Sequence, residues 1–174
     1  MSIYLSLAEA FRYPAPGRLE RLEQLTLALP SGGGKFALQA FLGQVRPLKL
    51  GEWEELYTRT WDLSPLTPPY IGFQIWGEDY RRGVFLARLQ RAYRETGMDA
   101  CGIDAAGELP DHLVPVLAYL GAVDRPAAEL VEHFHKAVEK MAAVLGKRDP
   151  ANPYLDLLKW MCNLELPSAE PSRP

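Results

Sequence analysis

A histidine flanked by carboxylates stands within the sequence Gly107-Glu108-Leu109-Pro110-Asp111-His112-Leu113-Val114-Pro115. Glu108, Asp111 and His112 are residue types that serve in general acid–base catalysis, but a catalytic site also needs a nucleophile, a substrate pocket or a cofactor element. The sequence identifies none of these. A proline and an acid ahead of an apolar run are equally typical of a helix N-terminus. We therefore expect a charged helix start here, with Asp111 in the first turn.

Other candidate reactive groups give weaker signals. His133 and His135 are two positions apart, and on a helix such side chains point about 200° away from each other, so they cannot ligate one metal ion. Cys101 and Cys162 lack the close pairing of a zinc site or a redox dithiol. A hydrolase that uses Cys101 and His112 is a minor alternative.

The sequence Ser31-Gly32-Gly33-Gly34-Lys35 invites comparison with a phosphate-binding loop. It has neither the earlier glycine nor the hydroxyl residue after the lysine that such a loop requires, so we expect a flexible turn. The sequence thus predicts no catalytic residue, no metal site and no cofactor.

The composition is that of an ordinary globular protein: 174 residues, 48% hydrophobic and 24% charged. These values predict a single domain over residues 1–166, followed by a disordered, proline-rich tail over residues 167–174. A net charge of -3 argues against a nucleic-acid partner. Because the chain shows neither a secretory signal nor a long apolar segment, we expect a cytoplasmic protein without direct membrane insertion.

Apolar residues recur at helical spacing along the chain, and no segment reads as a convincing strand, which predicts an all-α, single-domain helical bundle. The predicted helices cover residues 2–12, 17–29, 35–45, 51–61, 78–96, 125–145 and 153–163. Residues 73–76 are expected to begin a further element, and the helix that starts in the His112 motif is expected to run to about residue 120. Pro115 leaves two alternatives: the helix begins near Val114, or it kinks at the proline. Gly146 is expected to end the long helix before it.

Two charged residues of the 78–96 helix are expected to project toward its apolar side. Glu78 and Arg82 are four positions apart in the favourable order, so they should satisfy each other or a third group. The same periodicity predicts four solvent-facing arginines: Arg81, Arg88, Arg91 and Arg94.

These motifs resemble a known family. The sequence Glu108-Leu109-Pro110-Asp111-His112-Leu113, preceded by Gly77-Glu78-Asp79-Tyr80-Arg81-Arg82-Gly83 and by Tyr57 and Trp61, resembles the nitrate reductase molybdenum cofactor assembly chaperones of the NarJ or delta-subunit type. That family is similar to the wider TorD and DmsD group of redox-enzyme maturation proteins. Trp76 is a departure, because the family often has histidine there.

The resemblance implies an all-α chaperone, not an enzyme. It would bind the N-terminal segment of a molybdoenzyme catalytic subunit, a nitrate reductase in the first instance, and keep that subunit competent for cofactor insertion. The alternatives are a chaperone of the same fold for a dimethyl-sulfoxide or polysulfide reductase, and a small helical hydrolase that uses Asp111 and His112. Either a monomer or a homodimer is compatible with the sequence.

A basic, apolar leader segment should lie as a helix in a hydrophobic groove with an acidic rim. The expected aromatic anchors of this groove are Trp53, Tyr57, Trp61, Tyr70 and Trp76, and the expected acids are Glu78, Asp79, Glu108 and Asp111. The predicted peptide-binding residues are Tyr57, Trp61, Trp76, Glu78, Arg82, Glu108, Asp111 and His112. Because its reference pKa is about 6.5, we expect His112 to be a pH-sensitive hydrogen-bonding group.

Overall fold

The computed structural model describes residues 2–63, 65–97 and 107–169. In that part of the chain all regular secondary structure is helical, which confirms the predicted all-α class. The helices are α1 (Ile3–Ala10), α2 (Arg18–Leu27), α3 (Gly33–Val45), α4 (Leu50–Tyr57) with a π-helical turn after it (Thr58–Asp62), α5 (Ile71–Trp76), α6 (Tyr80–Glu95), α7 (Leu113–Ala122), α8 (Ala128–Arg148) and α9 (Tyr154–Met161). None of the helices in these ranges is both long and apolar enough to cross a membrane. The predicted domain limits at residues 166 and 167 stay a prediction.

Helix α8 continues past the glycine that was expected to end it. Gly146 lies inside the helix, where a Cβ atom would make ordinary contacts with Leu155 at 3.6 Å, and its backbone is not left-handed. The helix ends instead at Arg148, before Asp149 and Pro150. The residue before a proline is driven out of the helical conformation, so Pro150 is the effective stop signal.

The glycines before Lys35 belong to a close helix contact, so the predicted flexible turn is wrong. Helix α3 begins at Gly33, and Cβ atoms on Gly33 and Gly34 would lie 2.8 and 2.9 Å from ring atoms of Trp160. Lys35 donates through Nζ to the carbonyls of Leu27 and Leu29, both at 2.9 Å. The ammonium group therefore caps the end of α2, as basic groups near helix C-termini commonly do.

The core is centred on Tyr154, the first residue of α9, which is fully buried. Its hydroxyl accepts a hydrogen bond from Trp53 Nε1 at 3.1 Å. Four aromatic rings lie with their centroids 4.9 to 6.3 Å from its ring: Phe11, Phe41, Tyr57 and Trp61. Contacts of this kind add to the stability gained from burying the rings.

This core overturns part of the predicted aromatic groove. Trp53, Tyr57 and Trp61 are only 4%, 5% and 4% exposed, so they are core residues and not exposed anchors. The periodicity placed them correctly on one helix face, but that face is covered by α1, α3 and α9.

The π-helical turn after α4 directs two successive side chains to different environments. Trp61 is buried, whereas Asp62 is exposed. The hydroxyl of Thr60 donates to the carbonyl of Leu56 at 2.6 Å and accepts from Asn152 Nδ2 at 2.9 Å, which ties the turn to the start of α9. π-Helical turns are rare and are often found at functional sites.

Candidate functional site

Two distant segments of the chain are joined by a short backbone contact. Ile71 N–H donates to the carbonyl of Asp111 at 2.8 Å, and Leu113 N–H donates to the carbonyl of Pro69 at 2.9 Å. Together they form an isolated antiparallel bridge between Tyr70 and His112. The proline-rich segment before α5 is thereby held against the start of α7.

His112 is the N-cap of α7. Its Nδ1 accepts the backbone N–H of Val114 at 3.1 Å, which satisfies one of the free donors of the first turn. Pro115 is the third helical residue, where no intrahelical donor is required, so the helix begins at Leu113 and the alternative of a kink is unnecessary. Asp111 precedes the cap, and its predicted place in the first turn is wrong.

The environment of His112 also overturns its predicted role as a pH-sensitive group. The side chain is 2% exposed, and burial lowers its pKa from 6.5 to about 3. Burial disfavours the charged imidazolium. The ring is therefore neutral across the physiological range, with its proton on Nε2 because Nδ1 is an acceptor.

Asp111 forms a buried ion pair with Arg82. Arg82 donates from Nε and Nη2 to the two carboxylate oxygens at 2.9 and 3.2 Å, and Asp111 is fully buried. The guanidinium also lies over the rings of Tyr70 and Phe73, 5.3 and 5.5 Å from their centroids. A bidentate arrangement of this kind fixes the orientation of both groups.

This pair resolves the predicted partnership of Arg82. Glu78 lies before α6 and is exposed, so its predicted projection toward the apolar side is wrong. The group that pairs with Arg82 is Asp111. The four remaining arginines of the helix are exposed, as predicted: Arg81, Arg88, Arg91 and Arg94.

The burial of Asp111 and His112 bears on two further predictions. Asp111 cannot belong to an acidic rim, because both of its oxygens are used within the protein. Asp111 is fully buried, which disfavours the hydrolase alternative that pairs it with His112. Cys101 lies outside the described residues. His133 packs edge-on against Trp76, and His135 Nε2 lies 2.8 Å from the carbonyl oxygen of Leu164.

Next to this bridge lies a cavity of about 210 Å³, which we call the Glu108 cavity. Its lining comes from the α1–α2 connection, the end of α4, the π-helical turn, the proline-rich segment and the start of α7. The lining residues are Arg12, Tyr13, Arg18, Tyr57, Trp61, Asp62, Tyr70, Glu108, His112 and Val114.

Four of the predicted peptide-binding residues meet at this cavity: Tyr57, Trp61, Glu108 and His112. Arg82 lies over the ring of the lining residue Tyr70, and Asp111 is paired with Arg82. The other two predicted residues, Trp76 and Glu78, are not among its lining. Trp76 is half-buried against Phe85 and His133, with ring centroids 5.2 and 4.8 Å away.

The charges around the cavity are unevenly compensated. The buried carboxylate of Glu9 lies 3.5, 2.5 and 3.4 Å from nitrogens of Arg12, Arg18 and Arg21. By contrast, neither Asp62 nor Glu108 has a cationic side chain within 4.0 Å among the described residues.

The tyrosines of the cavity respond to these carboxylates. Glu108 accepts a hydrogen bond from the Tyr70 hydroxyl at 3.1 Å, and burial followed by the charge of Glu108 raises the pKa of Tyr70 to about 12. Burial raises the pKa of Tyr57 above its usual value, and the charges of Glu108 and then Asp62 raise it further. Both carboxylates therefore act on the Tyr57 hydroxyl.

Comparison with known proteins supports the resemblance seen in the sequence. No protein-family model matches the chain. The chain is 31% identical over 105 residues to the "Probable nitrate reductase molybdenum cofactor assembly chaperone NarJ" of Bacillus subtilis (strain 168). It is similar to a NarJ chaperone. The match covers 60% of this chain and 54% of the relative, so the chain spans about half the length of the curated relative it matches.

The similarity to NarJ confirms the family resemblance but names none of the residues around the cavity. Five of its lining residues were not predicted from the sequence: Arg12, Tyr13, Arg18, Asp62 and Val114. Asp62 carried a usable signal, because an acid directly follows the aromatic pair Tyr57 and Trp61. The α1–α2 connection carried none, since its approach to residues about a hundred positions away is fixed by the packing of α1 against α7.

Proposed function

We propose that this protein is an assembly chaperone that binds the N-terminal segment of a molybdoenzyme catalytic subunit. The client we propose is a respiratory nitrate reductase, and the chaperone acts in the cytoplasm by holding the segment until the molybdenum cofactor has been inserted. Similarity to a protein named as a nitrate reductase assembly chaperone supports this assignment. In this proposal the protein acts by binding its client; it catalyses no reaction and holds no cofactor of its own.

The observation that carries the proposal is the Glu108 cavity. It combines aromatic walls with two carboxylates that lack a cationic partner among the described residues, and four motif residues of the resemblance line it: Tyr57, Trp61, Glu108 and His112. A leader segment that is apolar and basic presents the complementary features.

Exposed apolar side chains near the cavity extend the surface. Tyr13 lines the cavity and is 48% exposed, whereas Leu63 and Leu109 are 72% and 45% exposed and directly follow the two carboxylates. Large apolar groups at the edge of a polar cavity suit the apolar face of an amphipathic helix, because docking removes them from water.

The test is calorimetry at 25 °C with a synthetic peptide of about 20 residues, the length of a short amphipathic helix, from the N-terminus of a nitrate reductase catalytic subunit. We expect micromolar binding, weakened about tenfold in the Leu63→Ala, Leu109→Ala double variant, because two leucine contacts are lost. Leu27→Ala is the matched control, since Leu27 is 70% exposed but is not next in sequence to a residue that lines the cavity, and it should leave affinity unchanged.

Failure to bind at concentrations on the order of tens of micromolar would contradict the proposal in its simple form. Leader peptides of a dimethyl-sulfoxide reductase and a polysulfide reductase, titrated in parallel, address the choice of client. Tighter binding of either would transfer the assignment to that enzyme.

A further inference from the structure

The Glu108 cavity contains carboxylates that are not paired with a cationic side chain of the described residues. Arg12 and Arg18 lie against the carboxylate of Glu9. Asp62 and Glu108 have no such partner among the residues that the structure describes, and both influence the Tyr57 hydroxyl. A cation that enters the cavity would therefore be attracted to Asp62 and Glu108.

A second, independent feature of the cavity is a need for a hydrogen-bond acceptor. Trp61 lines the cavity and is 4% exposed, yet its indole Nε1–H finds no acceptor within the described part of the chain. Arg18, another lining residue, likewise has a buried Nε–H without an acceptor there. Buried donors without acceptors are costly, and both groups can only donate. A peptide residue with a cationic side chain supplies a carbonyl oxygen as well as the charge.

The walls and size of the cavity favour arginine over lysine. Tyr13, Tyr57 and Tyr70 provide flat aromatic surfaces, and about 210 Å³ is room for one side chain but not for a folded partner. A guanidinium group stacks on aromatic rings and presents several donors in one plane, whereas an ammonium group is a compact and strongly hydrated point charge. Arg82 already shows this chemistry beside the cavity, over the ring of Tyr70.

We propose that the Glu108 cavity is a subsite for one arginine side chain of the client segment, with the guanidinium between Asp62 and Glu108 and the adjacent main-chain carbonyl facing Trp61. This subsite rests on the proposed function for the identity of its ligand. Its preference for arginine can be measured without any client.

The direct test uses Nα-acetyl-arginine amide as the probe and the ¹H–¹⁵N signal of the Trp61 indole as the readout, assigned with Trp61→Phe. We expect a saturable shift in the millimolar range, and little shift with Nα-acetyl-citrulline amide, which has the same shape without the charge. The Asp62→Asn, Glu108→Gln double variant should bind the arginine probe about tenfold more weakly. Its amides keep the hydrogen-bonding shape, and the amide oxygen that replaces the carboxylate of Glu108 can still accept from Tyr70.

Asp62→Asn alone guards against a folding defect, because Asp62 is exposed, and Glu139→Gln on α8 is the control for removing an exposed acid elsewhere. Equal shifts with arginine and citrulline, unchanged affinity in the double variant, or no shift at concentrations on the order of 50 mM would each overturn the subsite.

A second titration separates this inference from the proposed function. Each arginine of the nitrate reductase peptide is replaced in turn by citrulline, and the loss of affinity is compared between the native protein and the double variant. Replacing one particular arginine should lower the peptide affinity of the native protein but leave the affinity of the double variant unchanged. If the peptide binds and no arginine behaves in this way, the subsite is wrong and the chaperone function stands. If the capped arginine binds as expected and the peptide does not, the proposed function fails and the subsite is supported.

Discussion

At the scale of single residues, His112 and Asp111 are adjacent in sequence but are held by different interactions. His112 caps α7 through a neutral ring nitrogen, and Asp111 is held as an anion by both donors of Arg82. Both side chains can be buried at lower cost because Nδ1 of His112 and both carboxylate oxygens of Asp111 have hydrogen-bond partners. The pair therefore stabilises the start of α7 and the wall of the Glu108 cavity.

The lowered pKa of His112 makes a prediction about stability. In the unfolded chain the imidazole of His112 takes up a proton near pH 6.5, whereas in the folded chain it does so only near pH 3. Between these values the unfolded state binds more protons, so this contribution is complete above pH 6.5 and is lost as the pH falls toward 3. The contribution of His112 to the free energy of unfolding should fall by about 2 kcal/mol between pH 7 and pH 5.

Urea denaturation of the native protein and of His112→Asn at both pH values measures this contribution. Asparagine is a good N-cap that does not titrate, so the variant should lose about 2 kcal/mol less than the native protein over this range. Equal losses in the two proteins would show that His112 does not resist protonation. For the same reason, the peptide affinity of the native protein should not change between pH 6 and pH 8 through His112.

At the scale of elements, α5 and α6 meet the start of α7 at Gly72. A Cβ atom there would lie 2.8 Å from Asp111 Oδ2, 3.0 Å from Phe85 Cδ1 and 3.1 Å from Arg82 Cγ. Glycine at this position is what lets the short helix α5 approach the buried ion pair. The orientation of the proline-rich segment, and with it Tyr70, follows from this contact.

Gly72→Ala should destabilise the protein by roughly 1–3 kcal/mol, because the added methyl group must displace the carboxylate or the Phe85 ring. Gly83→Ala in α6 is the matched control: no atom lies within 4 Å of its Cβ position, and alanine is the better helix former. The control should gain about 0.5–1 kcal/mol. Thermal or urea denaturation measures the stability of each variant relative to the native protein. We expect a decrease for Gly72→Ala and an increase for Gly83→Ala, and a change of the same sign in both variants would contradict the contact at Gly72.

At the scale of the whole molecule, the aromatic cluster around Tyr154 connects elements from both ends of the chain. It contains Phe11 after α1, Phe41 of α3, Trp53 of α4 and Trp61 of the π-helical turn. Trp61 belongs both to this cluster and to the lining of the Glu108 cavity. One wall of the cavity is therefore part of the aromatic core.

Tyr154→Phe tests the polar contact at the centre of this cluster. Removing the hydroxyl leaves Trp53 Nε1 buried without its acceptor, which should cost about 1–3 kcal/mol of stability while the ring contacts remain. Tyr80→Phe is the control, because Tyr80 is 80% exposed, and it should change stability by less than about 0.5 kcal/mol. A loss that is equally small in both variants would mean that the hydrogen bond contributes little.

The sequence by itself determined the helical class and most helix limits. Apolar spacing and the prolines at positions 14 and 47 act on neighbouring residues only, so their effect can be read without knowing the fold. The exposure of Arg81, Arg88, Arg91 and Arg94 was predictable for the same reason. The resemblance to NarJ also came from residues in local motifs, and the comparison confirmed it.

Tertiary structure alone decided which groups are paired, buried or open to a ligand. Arg82 pairs with Asp111, which is distant in sequence, and not with Glu78, which is four positions away. Trp53 and Tyr57 are buried because segments distant in sequence pack against their helix. The pKa of His112 depends on how completely those segments exclude water, which no local pattern encodes. The Glu108 cavity likewise required the α1–α2 connection to meet the start of α7, a contact made by packing and not by sequence spacing.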